Sequence, residues 1–542
     1  MRFDKFKRII AVLLAVSVLS LALYGCSKST SSGNDSTSTA VSDDDMFTDR
    51  DYDSSYDEST AVKITLADGN ISCSSSNVSI DGDAATITAE GTYIISGSLS
   101  NGKIVVDADD SAKIQLVLNG VQINCETSAA LYVKNADKVF VTLAQGSENT
   151  LSNSADFVAI DDNNIDSVIF SKSDLTFNGA GTLTVNAAYG HGIVSKDDLV
   201  FTAGTYNITT ADHGLQGKDS IRIADGTFNI KCTEDGLHSE NKDDSSKGFV
   251  YIIGGTLNIA AGDDGIHSGT SLTVKGGEIN VTESYEGLEG QTIDISGGTI
   301  SVVSSDDGFN AASSNSSSSD QADPMASDDS CNINISGGKI TIDADGDGID
   351  SNGNITISGG EVYVAGPESG GDGALDYNGT GTITGGTVIM LGSSQMAQNF
   401  GSDSTQGVML VTFNETTGET SLANSGGTVL VSFSSSKKYA SAVISTPDVK
   451  KGETYTVTAG GESQTVEMTD TVYGSDAQPG GNGMGQTPPD MQNGDNSQGS
   501  NAPGNSPGGN SSGGQPPEKP SGSDLRATHG NSSSQSAASE SA

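Results

Sequence analysis

The side chains with the most chemistry in this chain of 542 residues recur at one point of a repeat. The stretch DDGIHSG (263–269) sets two acids, a glycine and a histidine together, and YEGLEG (285–290) returns to the theme one repeat later. Aligned on the glycine, the residue before it is His191, His213, Asp235, Asp264, Glu286, Asp307, Asp347 and Asp372. The residue two after it is Val194, Gln216, His238, His267, Glu289, Asn310 and Asp350, with Asp376 one place later in its own unit. Asp212, Glu234, Asp263, Asp306 and Asp345 add acids just upstream. Carboxylates in such number are oxygen donors for a hard cation, and the loose coordination of calcium suits ligands arriving from neighbouring units. Asp-Gly is also good turn chemistry. That accounts for an acid before the glycine, but not for acids two residues after it, nor for four of the five histidines (191, 213, 238, 267) sharing this position. His213, His238 and His267 leave a transition-metal site as a smaller alternative.

The elements that must position these side chains follow from two glycine series. The corner glycines are 192, 214, 236, 265, 287, 308, 348 and 373, and a second series runs 181, 204, 226, 255, 277, 298, 338, 360 and 386. Both step by about 22 residues and lengthen almost together, which is the signature of a repeat architecture. Between the glycines lie short β-branched runs of period two, such as Leu272 with Val274 and Ile279 with Val281; these read as half-buried strands rather than helices. Three strands and glycine corners per unit describe an all-β fold, a right-handed parallel β-helix whose coils bury their inward side chains against one another. The Leu/Asn pattern of leucine-rich repeats and the GGxGxD calcium roll are both missing. Insertions at 241–248 and 311–331 are expected beside the acid corner. Residues 62–180 keep a looser register, read as irregular early coils, and the run after 387 reads as hairpin strands capping the stack.

Stacked coils place equivalent residues about 4.8 Å apart, so the corner acids form two parallel ladders. Like charges at that spacing repel by about 3 to 4 kcal/mol per pair at an effective dielectric near 20, and calcium relieves this. The formal charge of −44 excludes nucleic acid and bare anionic surfaces as partners. Cys73, Cys125, Cys232 and Cys331 form no CxxC pair, so a zinc knuckle is not expected. For catalysis, Asp161, Asp162 and the GHG at 190–192 suggest a hydrolase pair, but His191 sits in plain register with the repeat. Lyase chemistry needs a base, for which Arg222, Lys196, Lys218 and Lys275 are the candidates. No motif supports either, and no catalytic residue is assigned.

The ends of the chain carry their own signals. A basic start is followed by a short apolar run closing on LYGC (23–26). It resembles a bacterial lipoprotein lipobox, which implies cleavage before Cys26 and a lipid on its sulfur. The organisation is then a signal peptide over 1–25, a disordered Ser/Thr/Asp-rich tether over 26–61, the β-helix over 62–390, a C-terminal β-strand cap over 391–472, and a disordered Gly/Pro/Ser/Asn-rich tail over 473–542.

The lipobox together with DGIHSGTSLTVKGGEINV, EGLEGQTIDISGGTISV, GDGIDSNGNITISGG, GGDGALDYNGTG and GTVLVSFSSSKKYASAVIST resembles the bacterial carbohydrate-binding lipoproteins of the pectate-lyase-like β-helix class. The resemblance covers roughly residues 60–470 and implies a calcium-bearing module that binds cellulose or polygalacturonate, without established lyase activity. Asp235, Asp264, Glu286, Glu289, Asp307, Asp347, Asp350 and Asp372 are the expected calcium ligands. His238, His267, Tyr285, Tyr377 and Asp376 are the expected ligand contacts. The chain has no Trp, so Tyr189, Tyr285 and Tyr377 would have to supply any stacking face. That favours calcium-bridged uronate over an aromatic cellulose platform. A calcium-dependent lyase or polygalacturonase-like hydrolase is the first alternative and a calcium-stabilised surface adhesin the second. In each case the protein is expected outside the cytoplasm, lipid-anchored to the bacterial membrane.

Overall fold

The structure, a computed structural model, describes residues 46–313, 326–474 and 476. It is a parallel β-solenoid of about twelve turns. Each turn runs through three ladders of parallel strands. The first sheet stacks Lys138–Leu143, Asp174–Gly179, Asp198–Phe201, Ser220–Ile223 and Phe249–Ile252. The second stacks Thr205–Thr210, Thr227–Lys231, Thr256–Ala260, Glu278–Glu283 and Thr299–Ser304. The third contains Leu215–Gly217, Leu237–Ser239, Phe309–Ala311 and Ile349–Ser351, joined by the leading parts of two longer strands, Ile266–Val274 and Leu288–Ile295. The acid corner is the turn from the second sheet into the third.

Alternation along each short strand sends one set of side chains inward. Leu215, Leu237, Ile266, Leu288, Phe309 and Ile349 are all fully buried and stand in one register column. Each apolar residue is covered by its equivalent on the next coil, which is how a 22-residue unit too small to hold a core alone acquires one.

The two glycine series answer different demands. From Gly204 on, the series at the turn into the second sheet has left-handed backbone, with φ of 88° at Gly255, 91° at Gly277 and 88° at Gly298, where a side chain is strained. The corner series does not. A Cβ on Gly287 would sit 2.3 Å from the Gly308 carbonyl oxygen and 2.3 Å from Val302, so there glycine is required by the close approach of the next coil.

Two expectations are corrected. The early coils are uneven, as their looser register implied: Val62–Leu66 and Val78–Asp81 pair antiparallel with Ser72–Cys73 and Ala84–Ile87, and register shifts fall between Ile95 and Gly97 and between Val106 and Asp107. From Lys113–Leu118 onward pairing with Lys138–Leu143, and of that strand with Asp174–Gly179, is unbroken. The insertion at 241–248 follows the third-sheet strand Leu237–Ser239, so it leaves from the next corner along. There Asp219 holds it through Asn241 (2.6 Å) and Lys247. The end of the expected tether is docked on the first sheet. A one-turn helix, Asp49–Tyr52, buries Asp51, which is 2% exposed and takes Lys138 Nζ at 2.8 Å and Thr176 Oγ1 at 2.7 Å. Asn178 and Thr202 donate to the Asp51 carbonyl at 3.1 and 2.8 Å. The sequence there has few aliphatic residues, but it is held by polar contacts that composition does not register.

The last solenoid strand, Gly381–Gly392, hands over to antiparallel pairing with Val429–Ser445. Around it Val408–Asn424, Thr454–Ala459 and Glu462–Glu467 build a cap with its own apolar cluster, including Ile389, Met409, Leu422, Ile444 and Val457. Cys26, the rest of the signal and tether, and the tail from 477 lie outside the described residues.

Candidate functional site

The residue before the corner glycine has a backbone duty on most rungs. At four of them its N–H donates to the side chain at the same position of the preceding coil. His213 N–H meets His191 Nδ1 at 3.3 Å, and Asp235 N–H meets His213 Nδ1 at 3.0 Å. Asp264 N–H meets Asp235 Oδ1 at 3.0 Å and Asp347 N–H meets Asp307 Oδ1 at 2.7 Å. The slot therefore demands a hydrogen-bond acceptor, which imidazole and carboxylate both provide. That explains why His and Asp interchange there, and it leaves one oxygen of each acid for other work. The interchange itself was the signal in the sequence.

The last rung corrects the alignment. Gly373, not Asp372, donates its N–H to Asp347 Oδ1, at 2.5 Å, and Ala374 takes the corner place over Gly348. Asp372 lies one residue outside the row and is exposed. The same slip puts Asp376 directly opposite Asp350. The second row is then continuous: Gln216, His238, His267, Glu289, Asn310, Asp350 and Asp376 stand in register.

Along its length the ladder changes character. In the lower half imidazoles stand among the acids. The rings of His191, His213, His238 and His267 form one stack, with centroids 5.0, 4.3 and 4.8 Å apart. His238 Nδ1 lies 2.6 Å from Asp235 Oδ2, and His267 Nδ1 lies 2.5 Å from Glu289 Oε2 and 3.3 Å from Asp264 Oδ2. Burial and the neighbouring His238 press His213 down to about 4, so it is neutral. His267 is also pushed down by burial, but its bonds to Asp264 and Glu289 outweigh this and raise it well above its ordinary value. Asp235, 3% exposed, stays below the usual carboxylate range despite burial because His238 and His213 face it.

In the upper half carboxylates face carboxylates. Burial and the charges of Glu289 and Asp264 push Glu286 up to about 9. Burial and Asp347 push Asp307 up to about 8. Asp347 is raised to about 8 by burial, Asp350 and Asp376, against the pull of the Gly373 N–H. Burial with Asp307 and Asp376 raises Asp350 well above its usual range. Ligand oxygens of Asp264, Glu286 and Glu289 converge within 4.8 Å of one another, as do those of Asp347, Asp350 and Asp376. Asn310 donates through Nδ2 to Glu286 Oε2 at 3.1 Å, but its own Oδ1 is buried with no hydrogen-bond partner. An unsatisfied amide oxygen among buried acids is a further oxygen donor for a cation.

The remaining candidates are scattered. Tyr377 is packed inward, its hydroxyl on the Asn399 carbonyl at 2.6 Å. Tyr285 is half-buried, and Tyr189, 36% exposed, presents more surface. Asp161 is held by Tyr132 at 2.7 Å rather than by His191. Arg222 is tied to Asp198 and Ser220 on the first sheet, Lys218 to Asp243 at 2.7 Å, and Lys196 lies 3.7 Å from Asp166. None of these ion pairs is with a ladder acid. The cap supplies a cation that sequence reasoning missed: Lys437 reaches back to Asp345 at 2.9 Å and Asp343 at 3.2 Å.

A carbohydrate-binding domain-containing protein of Acetivibrio thermocellus is 41% identical over 125 residues, 23% of this chain and 43% of that relative, so the chain spans less than half of its length. A solved structure titled as a polysaccharide lyase-like protein from C. thermocellum, a gadolinium derivative, is 32% identical; the match covers 43% of this chain and 96% of that one at a TM-score of 0.39. The model of the carbohydrate-binding domain-containing protein family matches residues 81–373, more than half of the 542 residues, and the chain belongs to that family.

Proposed function

We propose that the protein is an extracytoplasmic lipoprotein, anchored through Cys26, that binds acidic plant cell-wall polysaccharide through calcium held on the upper half of the ladder. The observation that carries this is the convergence of Asp347, Asp350 and Asp376 beside Asp307 and the unsatisfied Asn310 oxygen. Asp264, Glu286 and Glu289 form a second convergence of the same oxygen-only kind. These residues would hold the calcium. Bound there, the ion supplies positive charge with open positions for a uronate carboxylate. The chain's own part is to hold the carboxylates at coil spacing and to present them along one edge, where a linear polyanion such as polygalacturonate runs parallel to the ladder. Without a cation, a protein of charge −44 repels such a ligand.

Binding rather than turnover is favoured because, of the four candidate bases, Arg222, Lys218 and Lys196 pair with acids away from the ladder and Lys275 lies over the Tyr251 ring of the first sheet. Cellulose, with no carboxylate to bridge, draws less support from this site. Sedimentation with polygalacturonate in calcium and in chelator tests the reading. Retention only in calcium, with no ultraviolet-absorbing or reducing products, is expected. Equal retention in chelator would place the ligand site elsewhere. Replacement of Cys26 by Ala should release processed protein from the membrane fraction; a processed variant that stays bound would rule out the lipid anchor.

A further inference from the structure

We propose that the lower half of the ladder is a separate site for a borderline divalent cation of the zinc class, centred on His213, Asp235 and His238. Donor atoms of these three residues lie within 4.8 Å of one another. Asp235 Oδ2 stands 3.4 Å from His213 Nδ1, close to the separation of ligand atoms on one tetrahedral cation, and 2.6 Å from His238 Nδ1, a hydrogen bond that a metal opens by a few tenths of an ångström on entering. Two imidazoles and a carboxylate suit zinc, copper or nickel and not calcium, which prefers oxygen alone. The upper half is oxygen-only, so the two halves differ in metal class.

The support around the site is of the kind such ions use. Asp235 is almost wholly buried, and its second oxygen is fixed by the Asp264 N–H at 3.0 Å. The imidazoles of His213 and His238 stack at 4.3 Å, which limits their rotation. Gln216, the register neighbour of His238, carries a buried Oε1 with no hydrogen-bond partner. It sits three residues after His213, as His238 does after Asp235, and offers a neutral oxygen to the same edge. On binding, the metal takes the lone pair of His238 Nδ1; a hydrogen held there against Asp235 moves to Nε2, so the imidazole stays neutral and the Asp235–His238 hydrogen bond is exchanged for two bonds to the metal. His213 Nδ1 also accepts the Asp235 N–H at 3.0 Å, and a metal at this nitrogen competes with that bond. The Asp235 amide is therefore a reporter of occupancy. The site owes nothing to the calcium reading, and failure of one leaves the other standing.

The test is titration of the metal-free full chain with zinc by calorimetry, in calcium-containing buffer. Saturable binding is expected, as is faster hydrogen exchange of the Asp235 amide in the zinc-loaded protein. His238→Gln and Asp235→Asn should each weaken zinc by about tenfold or more. X-ray absorption of the zinc-loaded wild type, which needs no variant to fold, should show imidazole nitrogen at about 2.0–2.1 Å. No saturable zinc binding, undiminished binding in His238→Gln, or a shell of sulfur or of oxygen alone would overturn the proposal.

Discussion

The two halves of the corner ladder share one backbone slot and balance charge in opposite ways. From His191 to His267 each buried acid has an imidazole against it, as Asp235 has His238 at 2.6 Å. From Glu286 to Asp376 the acids meet other acids, except Glu289, which has His267 at 2.5 Å, and Glu286, Asp307 and Asp347 are raised far above the ordinary carboxylate range. An acceptor is required in both halves to satisfy the next coil's N–H. What differs is whether the chain brings its own counter-ion. The lower half carries imidazoles against its acids; the upper half calls for charge from outside.

The comparison breaks most severely if the slot itself is lost. Replacing Gly287 by Ala sets a methyl group 2.3 Å from the Gly308 carbonyl oxygen, and overpacking of this kind costs about 3 kcal/mol. The same change at Gly371, where nothing lies within 4 Å, should cost well under 1 kcal/mol, roughly as at other open surface positions. Denaturant unfolding of the two variants measures the difference.

The next largest effect should separate the halves. Calcium binds the folded ladder and not the unfolded chain, so a hundredfold excess over Kd stabilises by about 2.7 kcal/mol per ion. Asp350→Asn with Asp376→Asn should abolish part of the calcium-induced rise in melting temperature and weaken uronate binding. His191→Gln should leave both unchanged. Equal losses in the two variants would erase the distinction between the halves.

A third effect follows from the raised carboxyls. Their folded values, about 8 to 9 for Glu286, Asp307 and Asp347, lie above unfolded values of about 4. Between those limits the folded chain binds more protons than the unfolded one. In chelator, stability should therefore be greatest below about pH 4 as far as these groups decide it, and should fall as pH rises toward 9. Calcium should flatten that slope by replacing the protons. A chelator profile level from pH 5 to 9 would mean that the upper acids are already compensated.

The smallest effect belongs to the lower half. Asp235→Ala removes the acceptor of the Asp264 N–H and should cost about 1 to 3 kcal/mol, with or without calcium. Asp235→Asn keeps an acceptor and should cost less. A calcium-dependent penalty at Asp235 would instead join it to the upper half.

The repeat, the three strands per coil and the two rows of the corner were legible in the sequence because their causes are local. Period-two alternation, left-handed glycines such as Gly277 and the tight contact at Gly287 act within one coil and its neighbour, and each leaves a mark at fixed spacing. The same local logic placed Glu286, Glu289, Asp307, Asp347 and Asp350 on one edge. It failed by one residue at Asp372, where Ala374 fills the corner that glycine alignment assigned to Gly373.

What only the tertiary structure decided is which charges are paid by neighbours far along the chain. Asp51 is buried against Lys138 and Thr176, Lys437 returns from the cap to Asp345, and Asn310 leaves an oxygen without a partner beneath the acids. Residue type and spacing name the groups that can ionise. Burial and the distance to the next charge set whether they do, and those distances exist only once the coils are stacked.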